Sequence, residues 1–418
     1  MKNWEELTLE AVCLKITDGA HSSPPSVPEG KPMASVKDLT PYGIRLESCR
    51  RIPDEDFRKL VKQGCQPMKG DVLIAKDGAT ALDTVCEVKQ TEEVVLLSSV
   101  AILRPNPSIV DSSYLHYFLD ASSTRSYLKG NFISGAAIPR VVLKDLKRAA
   151  IAVPPIPVQQ RIAGILSAYD ELIENSQRRI NILEAMARAI YREWFVHFRF
   201  PGHENHPRVA SPLGEIPQGW GVKTIQDFGK VITGKTPSKA NAAYFGEDVQ
   251  FLKTPDMHGN MFILNTNERL STSGAASQAN KTLPAGSICV SCIGTVGVVS
   301  ITAKECQTNQ QINSVVLANP ASREFLFLRL QDAKQTLENL GSNGATMGNV
   351  NKSKFETMEM VSPPLDLLTR YHQIAKPMFA QILALARQIE NLRRTRDLLL
   401  PRLLSGQIHI SHSETRLS

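Results

Sequence analysis

No stretch of this 418-residue chain approaches the ~18 unbroken apolar residues that a membrane-spanning helix requires. A secretory leader is not expected either, since Met1-Lys-Asn-Trp-Glu-Glu places acidic residues where such a signal needs a long apolar core. The seven cysteines, Cys13, Cys49, Cys65, Cys86, Cys289, Cys292 and Cys306, are odd in number and show no paired framework. That argues against a disulfide-stapled secreted scaffold, and the expected setting is a reducing cytoplasm. Acidic residues are the scarcer sign of charge, 41 against 48 Lys and Arg, giving a formal +7 and a pI near 9.0. The surplus permits a polyanionic partner without demanding one.

Catalytic constellations are missing as well. No Ser/His/Asp set stands out, and no glycine-rich loop suited to S-adenosylmethionine is evident. Asn106-Pro-Ser-Ile109 lacks the second proline and the aromatic of the N-P-P-[FY] motif of adenine-N6 methyltransferases. Cys289-x-x-Cys292 lies in an apolar run with no second pair and reads as two small buried hydrophobes. His203 and His206 have no further ligands nearby, so no metal is expected.

What the chain does have is itself, twice. Trp4–Leu9 is echoed by Trp220–Ile225 at an offset of 216, which also carries Ile16-Thr17 onto Ile232-Thr233 and Gly70 onto Gly286. Gly78 of Ile74-Ala-Lys-Asp-Gly falls on Gly294 of Val290-Ser-Cys-Ile-Gly. Further on the offset drops to 209, taking Ser134-Gly-Ala-Ala onto Asn343-Gly-Ala-Thr and Pro154-Pro155 onto Pro363-Pro364. A period this long makes each copy a whole domain with its connector. The apolar runs between Gly-rich turns, such as Asp71-Val-Leu-Ile-Ala75 and Ser287-Ile-Cys-Val-Ser291, read as short strands, so each copy begins as a mixed α/β domain. One short helix is expected over Ser113–Lys129 and its counterpart over Arg323–Asn339.

The double proline then opens a different element. In the first copy Ile162, Leu166, Tyr169, Ile173, Ser176, Ile180, Leu183, Ala187, Ile190 and Trp194 step by four and three. In the second, Met378, Ile382, Leu385, Ile389, Leu392, Arg396, Leu399 and Leu403 do the same, with Pro377 expected to interrupt the early turns. A sustained 3.5-residue period defines a seam that wants a partner helix, and the two helices of this chain can supply it to each other. The organisation expected is therefore α+β: domain 1–153, helix 154–200, a surface linker 201–218, domain 219–362, helix 363–407 and a tail 408–418.

One catalytic formula is matched literally. Gly229-Lys-Val-Ile-Thr-Gly234-Lys235-Thr236 fits the phosphate-loop pattern G-x-x-x-x-G-K-[ST]. Its interior prefers to be a strand, however, and the first copy has no Lys-Thr pair at the matching place. The remaining features are polar, glycine-punctuated loops at matched positions of the two copies. They carry residue types that meet phosphates and base edges. Candidates for nucleic-acid contact, chosen on loop position and residue type, are His21, Lys37, Lys76, Thr80, Arg140 and Lys144 in the first copy. In the second they are Lys235, Thr236, Lys239, Lys253, Asn309, Gln310, Gln311 and Asn343.

The succession of domain, Pro-Pro junction and long helix, repeated once, resembles the specificity subunits of type I restriction–modification systems over nearly the whole chain. Local sequences agree, notably Pro154-Pro-Ile-Pro-Val-Gln-Gln-Arg-Ile162, Tyr191-Arg-Glu-Trp-Phe-Val-His-Phe-Arg-Phe-Pro-Gly202, Ile216-Pro-Gln-Gly-Trp220 and Pro401-Arg-Leu-Leu-Ser-Gly406. The second copy departs at Pro363-Pro-Leu-Asp-Leu-Leu-Thr-Arg370, which lacks the Gln-Gln of the first. The resemblance implies two target-recognition domains held apart on an antiparallel helix pair, each reading half of a split site in double-stranded DNA. It implies partners too: two modification subunits that bind S-adenosylmethionine, and ATP- and magnesium-dependent restriction subunits. This chain itself then needs no cofactor and performs no catalysis. Val158 to Val196 would span ~58 Å as a helix, enough for domains on successive turns of DNA. Two rival readings stay open at this point, a nucleotidase built on Gly229–Thr236 and a coiled-coil adaptor that ignores DNA.

Overall fold

The computed structural model describes residues 4–89, 93–134, 139–342 and 348–408. It forms two units, Met1–Asn175 with Glu390–Ser418, and Ser176–Ile389.

In the first unit Glu5–Thr8 pairs antiparallel with Ala150–Val153, closing the domain's two ends together. A four-stranded antiparallel sheet runs in the order Cys13–Asp18, Val100–Pro105, Val72–Ala75, Val85–Glu87. A three-stranded sheet has the order Arg50–Ile52, Lys31–Ala34, Val95–Leu96, the last pair parallel. Val72-Leu-Ile-Ala is apolar throughout because both of its faces are covered. Val72 and Ile74 face one core with Leu9, Tyr114 and Leu115, while Leu73 faces another with Ala34, Cys86 and Leu96. Val100-Ala-Ile-Leu divides the same way, as the two-residue period of a strand requires.

The second unit repeats the order of these three sheets, with one strand added. Gly221–Thr224 pairs with Glu359–Ser362, and the main sheet runs Gly229–Thr233, Ile312–Leu317, Ile288–Ser291, Val299–Thr302. Phe262–Ile263 adds a fifth, parallel strand. The small sheet is again three-stranded, Glu268–Leu270, Phe245–Leu252, Cys306–Thr308, with its last pair parallel. Each expected short helix is in fact two. Ser112–Asp120 and Ser122–Phe132 meet at Ala121, whose ψ of 136° is extended, and Arg323–Asp332 and Lys334–Gly341 meet at Ala333.

The long helices are Ile156–Tyr191, ending in a π-turn at Arg192–Val196, and Leu365–Leu404. Pro377 does not interrupt the second, contrary to expectation. It sits on the exposed side, while Ala375, Phe379 and Ile382 are buried and hold the turns around it. Their packing offsets the one backbone hydrogen bond that proline removes. Residue numbers rise along one helix as they fall along the other. In the first unit Arg396 Nη1 donates to Asp170 Oδ1 at 2.5 Å, and in the second Tyr371 Oη donates to the Ala187 carbonyl at 3.2 Å. The pairing is thus antiparallel in both units. Ile162, Leu166, Ile173, Ile180, Trp194, Ile382, Leu385, Ile389 and Leu403 are buried in the seam as the period predicts. Leu183 and Leu392 are half-buried. Four seam positions are displaced by one residue: Tyr169, Ile190, Met378 and Leu399 are only half-buried, and Asp170, Tyr191, Phe379 and Leu400 take the interior. A straight helix drifts ~20° per heptad from a 3.5 repeat. The helix ends also pack on the domains; Leu400, Leu403 and Leu404 share one core with Ile162, Leu166 and Tyr114.

The segment expected as a plain linker contains a hairpin, Arg208–Ser211 paired with Gly214–Pro217. His203 and His206 bond to the carbonyls of Phe200 and Gln218, and no group of three or more potential metal ligands exists among the described residues. Among those residues no helix is long and apolar enough to cross a membrane.

Candidate nucleic-acid interface

In both units one glycine turn is strapped to a distant loop in the same way. Gly78 donates its N–H to the Pro139 carbonyl, and Gly294 to that of Gly348. Val141 N–H reaches the Lys76 carbonyl, and Val350 N–H that of Cys292. Antiparallel bridges join Asp77 with Arg140 and Ile293 with Asn349. Every pair corresponds through the offsets of 216 and 209, so the repeat extends to how surface loops are held. Gly78 and Gly294 adopt φ of 92° and 79°, the left-handed region where a side chain is strained.

The first unit brings His21, Lys76 and Arg140 together through two aspartates. Lys76 Nζ lies 2.7 Å from Asp18 Oδ2, His21 Nε2 lies 3.2 Å from Asp18 Oδ1, and Arg140 Nε donates to Asp77 at 3.0 Å. Thr80 is exposed on the same turn as Asp77. Lys37 is exposed in the single turn Val36–Asp38, and Lys144 is exposed on Leu143–Leu146; neither is among the residues gathered around Asp18 and Asp77. Lys76 was expected to face phosphate, but only 6% of it is exposed and Asp18 neutralises it. Its role in the structure is a buried ion pair. Lys76→Ala is therefore expected to lower stability by about 3 kcal/mol, as breaking a buried pair from one side does. Lys76→Met combined with Asp18→Asn should restore most of the loss. Calorimetric melting of the three proteins checks this, and an unchanged single variant would return Lys76 to the list of free cations.

In the second unit three separate segments converge. Thr236, Pro237 and Lys239, then Lys253 and Pro255, then Asn309, Gln310 and Gln311 line one surface depression of about 510 Å³. Six of the eight residues named for this copy from sequence thus share a single site. Lys235 is exposed beside it, its backbone N–H bonded to the Thr308 carbonyl. Lys253 pairs with Glu268 and lies 5.7 Å from the Phe251 ring centroid. Asn343 falls outside the described residues. Asp18 and Asp77 were not singled out from sequence, because only the fold sets them beside Lys76, His21 and Arg140.

The phosphate-loop match does not fold as one. Gly229–Thr233 is a strand paired with Ile312–Leu317, so its N–H groups point alternately to opposite sides and cannot converge on an anion. A Cβ on Gly229 would lie 2.1 Å from the Val316 carbonyl oxygen, and one on Gly234 equally close to that of Asn309. Both glycines are there for close backbone approach. No helix opens at Thr236; the next element is the single turn Ala242–Tyr244. Cys289 and Cys292 are buried, and burial pushes their thiols up to about 12 and about 11, leaving both protonated at neutral pH.

The type I restriction modification DNA specificity domain family matches residues 1–185 and again 217–392. The chain is similar to the type I restriction enzyme HindI specificity subunit of Haemophilus influenzae, 32% identical over 400 residues, covering 81% of this chain and 87% of that one. It is also similar to the putative type I restriction enzyme MjaX specificity subunit of Methanocaldococcus jannaschii, 24% identical over 420 residues, with 98% and 94% covered. In fold it resembles the S subunit of a type I restriction–modification system from M. genitalium, with a TM-score of 0.62 at 14% identity over 96% of each chain. The two matched stretches coincide with the two copies of the repeat, and the chain belongs to the type I restriction–modification DNA specificity family, as a non-catalytic sequence-specificity subunit.

Proposed function

We propose that each repeated domain reads one half of a bipartite site in double-stranded DNA, and that the chain brings two modification subunits and the restriction subunits to it. The observation that carries this reading is the duplicated strap of Gly78 to Pro139 and Gly294 to Gly348, which presents one set of polar loops twice. In this assembly S-adenosylmethionine belongs to the modification subunits and ATP with magnesium to the restriction subunits. This chain supplies the address, working in the cytoplasm where the cell's DNA is.

Reconstitution tests it. Mixed with its cognate modification subunit, the protein is expected to direct methyl transfer from labelled S-adenosylmethionine to one two-part sequence, with two modification subunits per chain by mass. Alone it should transfer nothing. Methylation by the isolated chain, or methylation by the mixture without sequence preference, would overturn the reading.

A further inference from the structure

Three amides follow the strand Cys306–Thr308 in a row, and the structure gives them different work. Asn309 is buried. Its Nδ2 donates to Gln311 Oε1 at 3.0 Å, its Oδ1 accepts from the Gln311 N–H at 3.1 Å, and its own N–H bonds to the Leu252 carbonyl. Asn309 and Gln311 are thus spent on shaping the turn that leads into Ile312–Leu317. Gln310 between them is exposed, and its side chain is held by Thr236, whose Oγ1 donates to Oε1 at 2.7 Å. Both residues open onto the depression of about 510 Å³. Lys239 on its rim is exposed.

Thr236 fixes which way the Gln310 amide points. With one Oε1 lone pair occupied, the other lone pair and both Nε2 hydrogens remain for a ligand. One acceptor beside one donor, in one plane, complements the major-groove edge of adenine, which offers the N6 amino group as donor and N7 as acceptor. Guanine presents two acceptors there and would set its O6 against Oε1. Cytosine and thymine each offer a single polar group.

We propose that Gln310 is the base-reading residue of this site, that Thr236 is its positioning residue, and that the base read is an adenine in the half-site of the second domain. The assignment rests on the proposed DNA-reading function. Lys239 meets phosphate beside it and carries no sequence information.

The test uses the complex reconstituted with its modification subunit and a randomised duplex library. Gln310→Ala is expected to lower discrimination roughly 5- to 150-fold at one A·T pair. Every other position, and affinity for random duplex, should stay as in the parent. Replacing that adenine by 7-deaza-adenine, which removes N7, should weaken the parent complex and leave the variant unaffected. Thr236→Val should produce a smaller loss at the same pair. The exposed position of Gln310 keeps the fold out of the comparison, and matching melting curves verify this. If the parent discriminates a two-part target while Gln310→Ala keeps every base preference, or loses one at a G·C pair or in the other half-site, the assignment is wrong. A parent with no sequence preference at all would instead overturn the DNA-reading function beneath it.

Discussion

Exchanging residues 1–153 for the matching domain of another family member is expected to replace one half of the methylated sequence and leave the other half as it was. The cut after Val153 crosses no strand pair. Glu5–Thr8 and its partner Ala150–Val153 travel together, and both sheets of the first domain close before Pro154. What does cross the cut is packing on the helices. Ile162, Ala163, Leu166, Leu400, Leu403 and Leu404 share a core with Leu9, Tyr114 and Leu115, so the incoming domain must offer apolar side chains there. Gln159, fully buried, accepts from the Asp111 N–H and donates to the Ile109 carbonyl, backbone groups that any residue but proline at position 111 supplies. Mismatched base pairs cost ~1–3 kcal/mol each, roughly additively. Three altered pairs would therefore depress use of the old target by ~3–9 kcal/mol, at least a hundredfold. Sequencing the sites methylated by the chimaera reads the result, and changes in both halves would show that the two domains do not read independently.

The duplication, the strand-and-turn character of each domain and the helical seam were legible because each depends on residues close together in the chain. Glycine at a left-handed turn, a double proline before a helix and apolar residues every 3.5 positions act locally. Partners far apart in sequence were not legible. Lys76 looks like any loop lysine until the fold sets Asp18 beside it, 58 residues away. The gathering of segments around Thr236, Lys253 and Gln310 follows from the parallel pairing of Phe245–Leu252 with Cys306–Thr308, which no local pattern announces. The hairpin at Arg208–Pro217 was hidden by the same glycines and prolines that made the stretch read as a linker. In the seam, heptad counting named Tyr169 and missed Asp170, because a carboxylate is not counted as an interior residue unless its partners are known.

That carboxylate carries the second large effect. Asp170 is 6% exposed and accepts from Arg396 Nη1 at 2.5 Å and from the Tyr117 hydroxyl at 2.7 Å. Burial pushes the nearby Asp120 carboxyl up to about 6, a sign of how poorly water screens this part of the seam. Asp170→Ala removes the buried carboxylate from a half-buried guanidinium that keeps the exposed Asp397, and strands a buried phenol, while Arg396→Ala leaves a buried carboxylate with one donor. Each single variant is expected to lose about 3–5 kcal/mol. The repeat supplies its own apolar alternative. At the offset of 209, Asp170 corresponds to Phe379 and Arg396 to Ala187, both fully buried in the second unit. Asp170→Phe combined with Arg396→Ala copies that solution at nearly the same summed size, and Tyr117→Phe removes the hydroxyl that would be stranded. Because desolvating two charges offsets much of their attraction, the triple variant is expected to match or exceed the parent, while both Ala variants fall well below it. Thermal melting of the variants forms the cycle. If Asp170→Ala melts within about 0.5 kcal/mol of the parent, the pair contributes nothing to stability and the apolar drift of the seam alone holds these turns together.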